Sequence, residues 1–376
     1  MKIAALLLTT ALLLSASDYK KGVEAYKRGD FKEALAYYEK AAEEGSPAAM
    51  VNLGLMYKYS IGVQKEPKKA FELFNQAAKS GYPRGITELA AAYEEGVGTK
   101  RDTKKAFSLY KEAAKKGYPK AMAGLAHLYE TGAGGKKDLK RAIYWYEKAA
   151  KRGETQAMVY LGAIYERGIG VKSDPHKAFE LWKRAAANGS ADAQNAIGFL
   201  YLKGRGVEKD PKEAFSWFLK AAKRGLPWAQ HNTAFMYEEG IGVKESCKEA
   251  VKWYEKASGQ NYTPSLVSLA LLYRDGKCTK KSGKKAAELL KRAAELGDPA
   301  APFLLGRLYE EGEGVKQDFS EAAFWYQRGA EIGDPQAQYN LGLLYYNGLG
   351  VQKDPIRAKY WMETAKKGGL KIPGAL

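Results

Sequence analysis

Apolar residues recur along the chain as a helical stripe that restarts every 36 residues. Counted from Gly45, position 5 is always small, position 9 is Leu or Ile in eight of nine copies (Thr233 is the exception), position 10 is Gly or Ala, and position 13 is always Tyr, from Tyr57 to Tyr345. Steps of four residues put these on one face of a first helix, and the small residues let a second helix approach closely. Pro at position 3 (Pro47, Pro83, Pro119, Pro227, Pro299, Pro335) suits the first helical turn. Gly at positions 16 and 18, usually followed by Val, predicts the end of that helix, because Gly takes positive φ without penalty. Asp at position 22 (Asp102, Asp138, Asp174, Asp210, Asp318, Asp354) then caps a second helix. Its invariant Ala at position 26 and bulky residues at 29 and 30, such as Trp145-Tyr146, Leu181-Trp182 and Trp325-Tyr326, set knobs between small holes.

The copies begin at Gly45, Gly81, Gly117, Gly153, Gly189, Gly225, Asn261, Gly297 and Gly333, so nine of them fill 45–368 without insertion. A period of this length signals a repeat array, in which each copy buries its apolar face against its neighbours. This displaces the two or three domains that 376 residues would otherwise suggest. Ahead of the array, 18–44 reads as a shorter capping hairpin with a turn at Gly29-Asp30-Phe31. In the last copy Lys359 and Lys366 replace apolar residues and small Ala, as a polar end cap requires. The tail, 369–376, contains Pro373 and no helical period. At the other end, Lys2, the apolar run Ile3–Leu14 and Ser15-Ala16-Ser17 form a signal-peptide pattern over 1–17, with cleavage before Asp18. A secreted or periplasmic location is expected. Twelve apolar residues are too few to span a bilayer, and no other stretch approaches that length, so a membrane-spanning chain is not expected.

The repeat resembles the Sel1-like repeat, a relative of the tetratricopeptide repeat, which the 18–44 hairpin also resembles. In the copy Gly153–Asn188 the resemblance rests on Leu161-Gly162, Tyr165, Gly168, Gly170-Val171, Asp174, Ala178, Trp182 and Ala185-Ala186. It implies an all-α fold, a right-handed superhelical solenoid of antiparallel helix pairs. It also implies an adaptor that assembles protein complexes, in bacterial envelopes, in host interaction or in endoplasmic-reticulum quality control. The copy starting at Asn261 departs most: Cys278 replaces the second loop Gly, Ser282 the capping Asp, and Leu289-Leu290 the aromatic pair.

Catalytic motifs are missing. The Gly-x-Gly-Val loops follow helices and lack the third Gly and βαβ context of a dinucleotide site. Gly135-Lys136-Lys137 lacks the Ser/Thr of a phosphate loop, and neither His-Glu-x-x-His nor Gly-x-Ser-x-Gly occurs. The three histidines, His127, His176 and His231, are too dispersed to converge on a metal. No cofactor or metal is expected. Cys247 and Cys278, at position 23 of one copy and 18 of the next, either bridge adjacent repeats in an oxidising compartment or remain free thiols. Some cysteine-rich relatives are assigned penicillin binding or β-lactamase activity. An envelope hydrolase or cell-wall-ligand binder is therefore the alternative, though no nucleophile–base pair in this sequence supports it.

Core positions repeat, so individuality sits where the copies differ. On the first helix, positions 4, 8 and 11 vary most: Arg84, Lys120, His127, Tyr160, Phe199, Trp228, Asn232, Phe235 and Arg307, with His231 and Tyr339 at position 7. The resemblance places first helices along a concave groove for a partner protein or peptide. The densest cluster is Phe199, Trp228, His231, Asn232 and Phe235, an interface centre by composition unless these rings are simply core. Charge is segregated as well. The chain is basic by 18, with Lys and Arg crowding loops and second helices (Lys100-Arg101, Lys136-Lys137, Lys280-Lys281). Glu94-Glu95, Glu130, Glu166, Glu238-Glu239 and Glu310-Glu311 end first helices, where the dipole disfavours them. These are either solvated, ion-paired faces or a basic surface for lipid head groups and polyanionic glycans. No nucleic-acid motif is present, and nucleic acid is not an expected partner.

Overall fold

Each repeat folds as two helices of 11–14 residues, most of them 13, joined by a loop whose hydrogen bonds follow from its residue types. The computed structural model describes residues 16–371. The expected leader, 1–17, lies outside these residues except for 16 and 17, and the tail is described only to Lys371. Two compact units divide at a repeat boundary, between Asn188 and Gly189.

The first unit holds α1 (16–28), α2 (Phe31–Glu43), α3 (Pro47–Tyr59), α4 (Pro67–Lys79), α5 (Pro83–Glu95), α6 (Thr103–Lys115), α7 (Pro119–Thr131), α8 (Leu139–Lys151), α9 (Thr155–Arg167) and α10 (Pro175–Ala187). The second holds α11 (Ala191–Lys203), α12 (Pro211–Lys223), α13 (Pro227–Glu239), α14 (Cys247–Gly259), α15 (Thr263–Asp275), α16 (Gly283–Glu295), α17 (Ala301–Glu311), α18 (Phe319–Ile332), α19 (Pro335–Asn347) and α20 (Pro355–Lys367). No strand occurs among the described residues. Within each unit the two helices of a repeat pack together, and each pair packs on the next. The fold is all-α, a tandem array of helix pairs.

The loop after each first helix is closed twice. Position 16 takes the left-handed conformation and ends the helix, as at Gly168 (φ 72°). The N–H of position 22 then donates to the carbonyl of the invariant Tyr, for example Asp174 to Tyr165 at 2.7 Å. The Asp174 carboxylate turns forward to accept from Lys177 N at 2.9 Å, capping α10. One departure is at α17, which starts at Ala301 instead of Pro299. Pro302 has no N–H to give to the preceding turn. Asp298 accepts from the N–H groups of Ala300 and Ala301 instead, at 3.0 and 3.1 Å.

The core runs between paired helices. In seven of the nine copies position 30 brings a large ring against the Gly or Ala at position 10: a Cβ on Gly162 would lie 2.4 Å from Trp182 Nε1. Tyr146, Tyr254, Tyr326, Phe74 and Phe218 are fully buried this way, each stabilising by roughly 1.5–3 kcal/mol on transfer from water. Tyrosines at position 30 account for four of the glutamates at first-helix ends. Tyr110 donates to Glu94 at 2.9 Å, Tyr146 to Glu130 at 2.8 Å and Tyr254 to Glu238 at 2.9 Å, and Tyr326 to Glu310. Position 14 is Glu wherever position 30 is Tyr, and Lys58, Leu202, Arg274 and Tyr346 stand opposite Phe74, Phe218, Leu290 and Met362. Burial, reinforced by the facing carboxylate, pushes these four phenols well above their ordinary pKa, so they stay donors. The glutamates tolerate the unfavourable dipole because each terminates a buried hydroxyl.

Candidate functional site

In the second unit the predicted cluster is assembled on α11, α13 and α15. Phe199, Trp228 and Phe235 keep 42, 39 and 44% of their surface exposed, so they are not core residues. Phe199 rests edge-on against the buried Phe218, with centroids 5.0 Å apart. Asn232 Nδ2 donates to Asn195 Oδ1 at 3.0 Å, tying α13 to α11. His231 ties α13 to α15: its Nδ1 lies 3.0 Å from Ser265 Oγ, and its ring packs on Tyr254 and Tyr262 at 5.3 and 5.6 Å. Burial lowers the His231 pKa, opposed by the Glu238 charge, and keeps the imidazole neutral at pH 7. Asn195 is the member that sequence comparison passed over; its signal was a polar residue at position 7, one turn from Phe199.

Two other predicted residues of this unit serve different ends. Arg307 is held by Glu311 one turn later, at 2.8 and 3.0 Å. Tyr339 is half-buried on α19.

In the first unit the same face carries charge on α5 and α7. Lys120 reaches from α7 to Glu88 on α5 at 2.6 Å, and the Glu88 side chain is 4% exposed. Arg84 lies half-buried one turn before Glu88. Tyr160 stacks on His127 with centroids 6.1 Å apart and tilts against Tyr146 at 5.7 Å, leaving 39% of its surface open.

Cys247 and Cys278 are joined in a disulfide, with Cα atoms 4.7 Å apart. The repeat geometry explains the pairing. At position 18 of other copies the glycine lies against position 23 of the preceding copy: a Cβ on Gly242 would sit 2.0 Å from the Pro211 carbonyl oxygen. Cys278 holds the same left-handed conformation (φ 62°) and carries its Sγ onto Cys247 at position 23. The bridge links successive repeats.

The His231–Ser265 pair is the nearest approach to a nucleophile and base, but Ser265 is fully buried and out of reach of substrate. Beside the disulfide, a hollow of about 450 Å³ is lined by Tyr273, Thr279, Lys280, Lys281, Ser282 and Lys285, with no carboxylate or imidazole. Among the described residues no three His, Cys, Asp or Glu side chains are grouped to hold a metal, and no helix is long and apolar enough to cross a membrane.

The Sel1 repeat model matches ten segments: 12–46, 47–82, 83–118, 119–154, 155–190, 191–226, 229–262, 263–298, 299–334 and 335–370. The first overlies the hairpin set apart above as a cap. No curated protein matches the chain. Among solved structures it is similar to c5321, a protective antigen present in uropathogenic Escherichia coli strains displaying an SLR fold. That match has 32% identity and a TM-score of 0.65, and covers 94% of this chain and 76% of that one. A Sel1 repeat protein from Oxalobacter formigenes is 31% identical over 81% of this chain and 91% of its own, with a TM-score of 0.63. With ten matched segments and relatives at this identity, the chain belongs to the Sel1 repeat family.

Proposed function

We propose that this chain is a non-enzymatic scaffold that acts outside the cytoplasm, secreted or periplasmic, and holds a segment of a partner protein on the first-helix face of its second unit. One observation carries the reading: Phe199, Trp228 and Phe235 stay about two-fifths exposed around the hydrogen-bonded His231 and Asn232. Large half-exposed rings around a polar centre are what interface cores are made of. The family supports a protein partner in general terms. Affinity capture from the native envelope, wild type beside Trp228→Ala/Phe235→Ala, tests it: the variant is expected to lose the partner, and equal recovery would sink the assignment. Sequencing of the mature N-terminus checks the location, with Asp18 expected first.

A second reading, attachment to an anionic surface, is favoured by exposed aromatics on second helices beside cations. Tyr144 is 49% and Phe324 50% exposed. Lys148 Nζ lies 4.4 Å from the Tyr144 ring centroid, and the Arg328 guanidinium 5.2 Å from that of Phe324. Salt-sensitive co-sedimentation with anionic vesicles is its expected signature. For the hydrolase alternative, nitrocefin turnover by pure protein, abolished by one point mutation, is the outcome that would displace the scaffold reading.

A further inference from the structure

The hollow beside the disulfide is where one repeat loop lacks its usual counter-charge. Position 25, in the first turn of the second helix, is a cation in six copies: Lys69, Lys105, Arg141, Lys177, Lys285 and Arg357. In five of them position 22 is acidic (Glu66, Asp102, Asp138, Asp174 and Asp354); only Lys285 follows an uncharged residue there, Ser282. Where the aspartate is present its carboxylate can reach the cation, as in Asp138–Arg141 at 3.3 Å and Asp354–Arg357 at 3.4 Å. Lys285 Nζ lies over the Tyr273 ring instead, 4.8 Å from its centroid. Lys280 and Lys281 line the same hollow. Of the three lysines, Lys281 alone meets a carboxylate among the described residues, Glu313 at 3.8 Å, and both of those side chains are exposed. The neighbouring cations are already used: Lys277 by Glu238 and Glu239 at 2.9 Å each, and Arg274 by Asp275 at 2.6 Å. The start of α16 is capped as well, since Ser282 Oγ accepts from Lys285 N at 3.4 Å. The unmet feature is therefore side-chain charge rather than the helix end.

We infer that a tetrahedral oxyanion ester, phosphate or sulfate carried on a sugar-sized molecule, binds in this hollow in place of the missing aspartate. The site is separate from the aromatic first-helix face and does not depend on the scaffold reading. A carboxylate at position 22 serves one cation in the other copies. Three lysines around one hollow call for an anion with more oxygens to share, and a phosphate or sulfate ester offers them. Ser282 keeps its hydroxyl proton to donate. A volume of about 450 Å³ is within the range of small-molecule sites. The Cys247–Cys278 bridge adjoins Thr279, whose Oγ1 donates to Leu272 O at 2.9 Å, so the loop is held in place before a ligand arrives.

Calorimetric titration of the oxidised full-length protein with glucose 6-phosphate, glucose 6-sulfate, glucuronate and glucose tests the inference. At least one ester is expected to bind, more weakly as salt rises, with glucuronate weaker still and glucose silent. Ser282→Asp restores the carboxylate of the other copies and keeps the cap. It is expected to raise Kd by about tenfold or more without lowering the melting temperature. Lys280→Gln/Lys285→Gln is expected to raise Kd comparably. Lys136→Gln/Arg141→Gln, in a loop that keeps Asp138, is the control expected to leave Kd unchanged. A preference for the phosphate ester that fades as pH drops through its second pKa, about 6, identifies phosphate as the source; a preference for the sulfate ester that is independent of pH identifies sulfate. Tighter binding of glucuronate than of either ester would overturn the ligand class. Binding that neither Ser282→Asp nor the double lysine variant alters would overturn the site, as would heat from neither ester or equal heat from glucose.

Discussion

Position 4 of α7 is Lys120, locked onto the buried Glu88 at 2.6 Å; position 4 of α13 is Trp228, with 39% of its surface in solvent. The two helices are otherwise built alike, each with Pro at its start, a small residue at position 5, Tyr at 13 and a left-handed Gly at its end. The first unit pairs Lys120 with Glu88 and leaves one variable ring, Tyr160, partly open. The second leaves Phe199, Trp228 and Phe235 about two-fifths exposed, three rings on two neighbouring first helices. In a repeat protein the shared positions are committed to stacking, so differences at the remaining ones are where recognition is written.

The largest expected effect separates the units by covalent chemistry, since both cysteines stand in the second. Cys247→Ser/Cys278→Ser, or reduction, should destabilise that unit by about 3–4 kcal/mol on the loop-entropy estimate. Hydrogen exchange should show faster opening around α14–α16 and no change across α3–α9; equal loosening of both would end the contrast in stability. Next comes Lys120→Met, which strips the buried Glu88 of its cation. It should cost the first unit about 1–3 kcal/mol, the penalty for a buried group losing its hydrogen-bond partner. The double variant Lys120→Met/Glu88→Leu should recover most of this, and a double variant as unstable as the single one would show that the pair does not act as a pair.

A smaller, pH-dependent difference is expected in the second unit alone. The folded pKa of His231 lies below its unfolded value of about 6.5. Between the two values the unfolded chain therefore binds the extra proton, and stability falls as pH drops through that window. Above 6.5 the term vanishes. His231→Asn should flatten this acid dependence of the unfolding midpoint; an unchanged pH profile would remove His231 from the account. The smallest expected contrast is between matched core variants. Tyr146→Phe and Tyr254→Phe each leave a partly buried glutamate without its phenol and should cost a similar ~1 kcal/mol. Unequal costs would mean the shared scaffold is less uniform than its residues indicate.

Much of this architecture was legible in the chain. Tyr at 13, the glycines at 16 and 18, Asp at 22 and Ala at 26 are constrained by short-range geometry, so their recurrence specifies helix, loop and helix directly. The aromatic face was also visible, because Phe199, Trp228 and Phe235 break a pattern that their neighbours keep. Less visible was what each polar residue touches. Glu94, Glu130, Glu238 and Glu310 looked like misplaced surface charge until their tyrosine partners, 16 residues on, were in place. Pro302 was overlooked as the reason α17 starts late.

The sequence by itself determined the helix pairs, their period and the positions free to vary, because those depend on φ preferences, capping and contacts within one repeat. The tertiary structure decided which variable residues meet. Lys120 finds Glu88 and Asn232 finds Asn195 across repeats, and Cys278 faces Cys247 because loop 18 of one copy lies on position 23 of the copy before it. Those encounters depend on how neighbouring copies stack, through close contacts between copies such as Gly85 against Ala77, which a one-dimensional pattern cannot place.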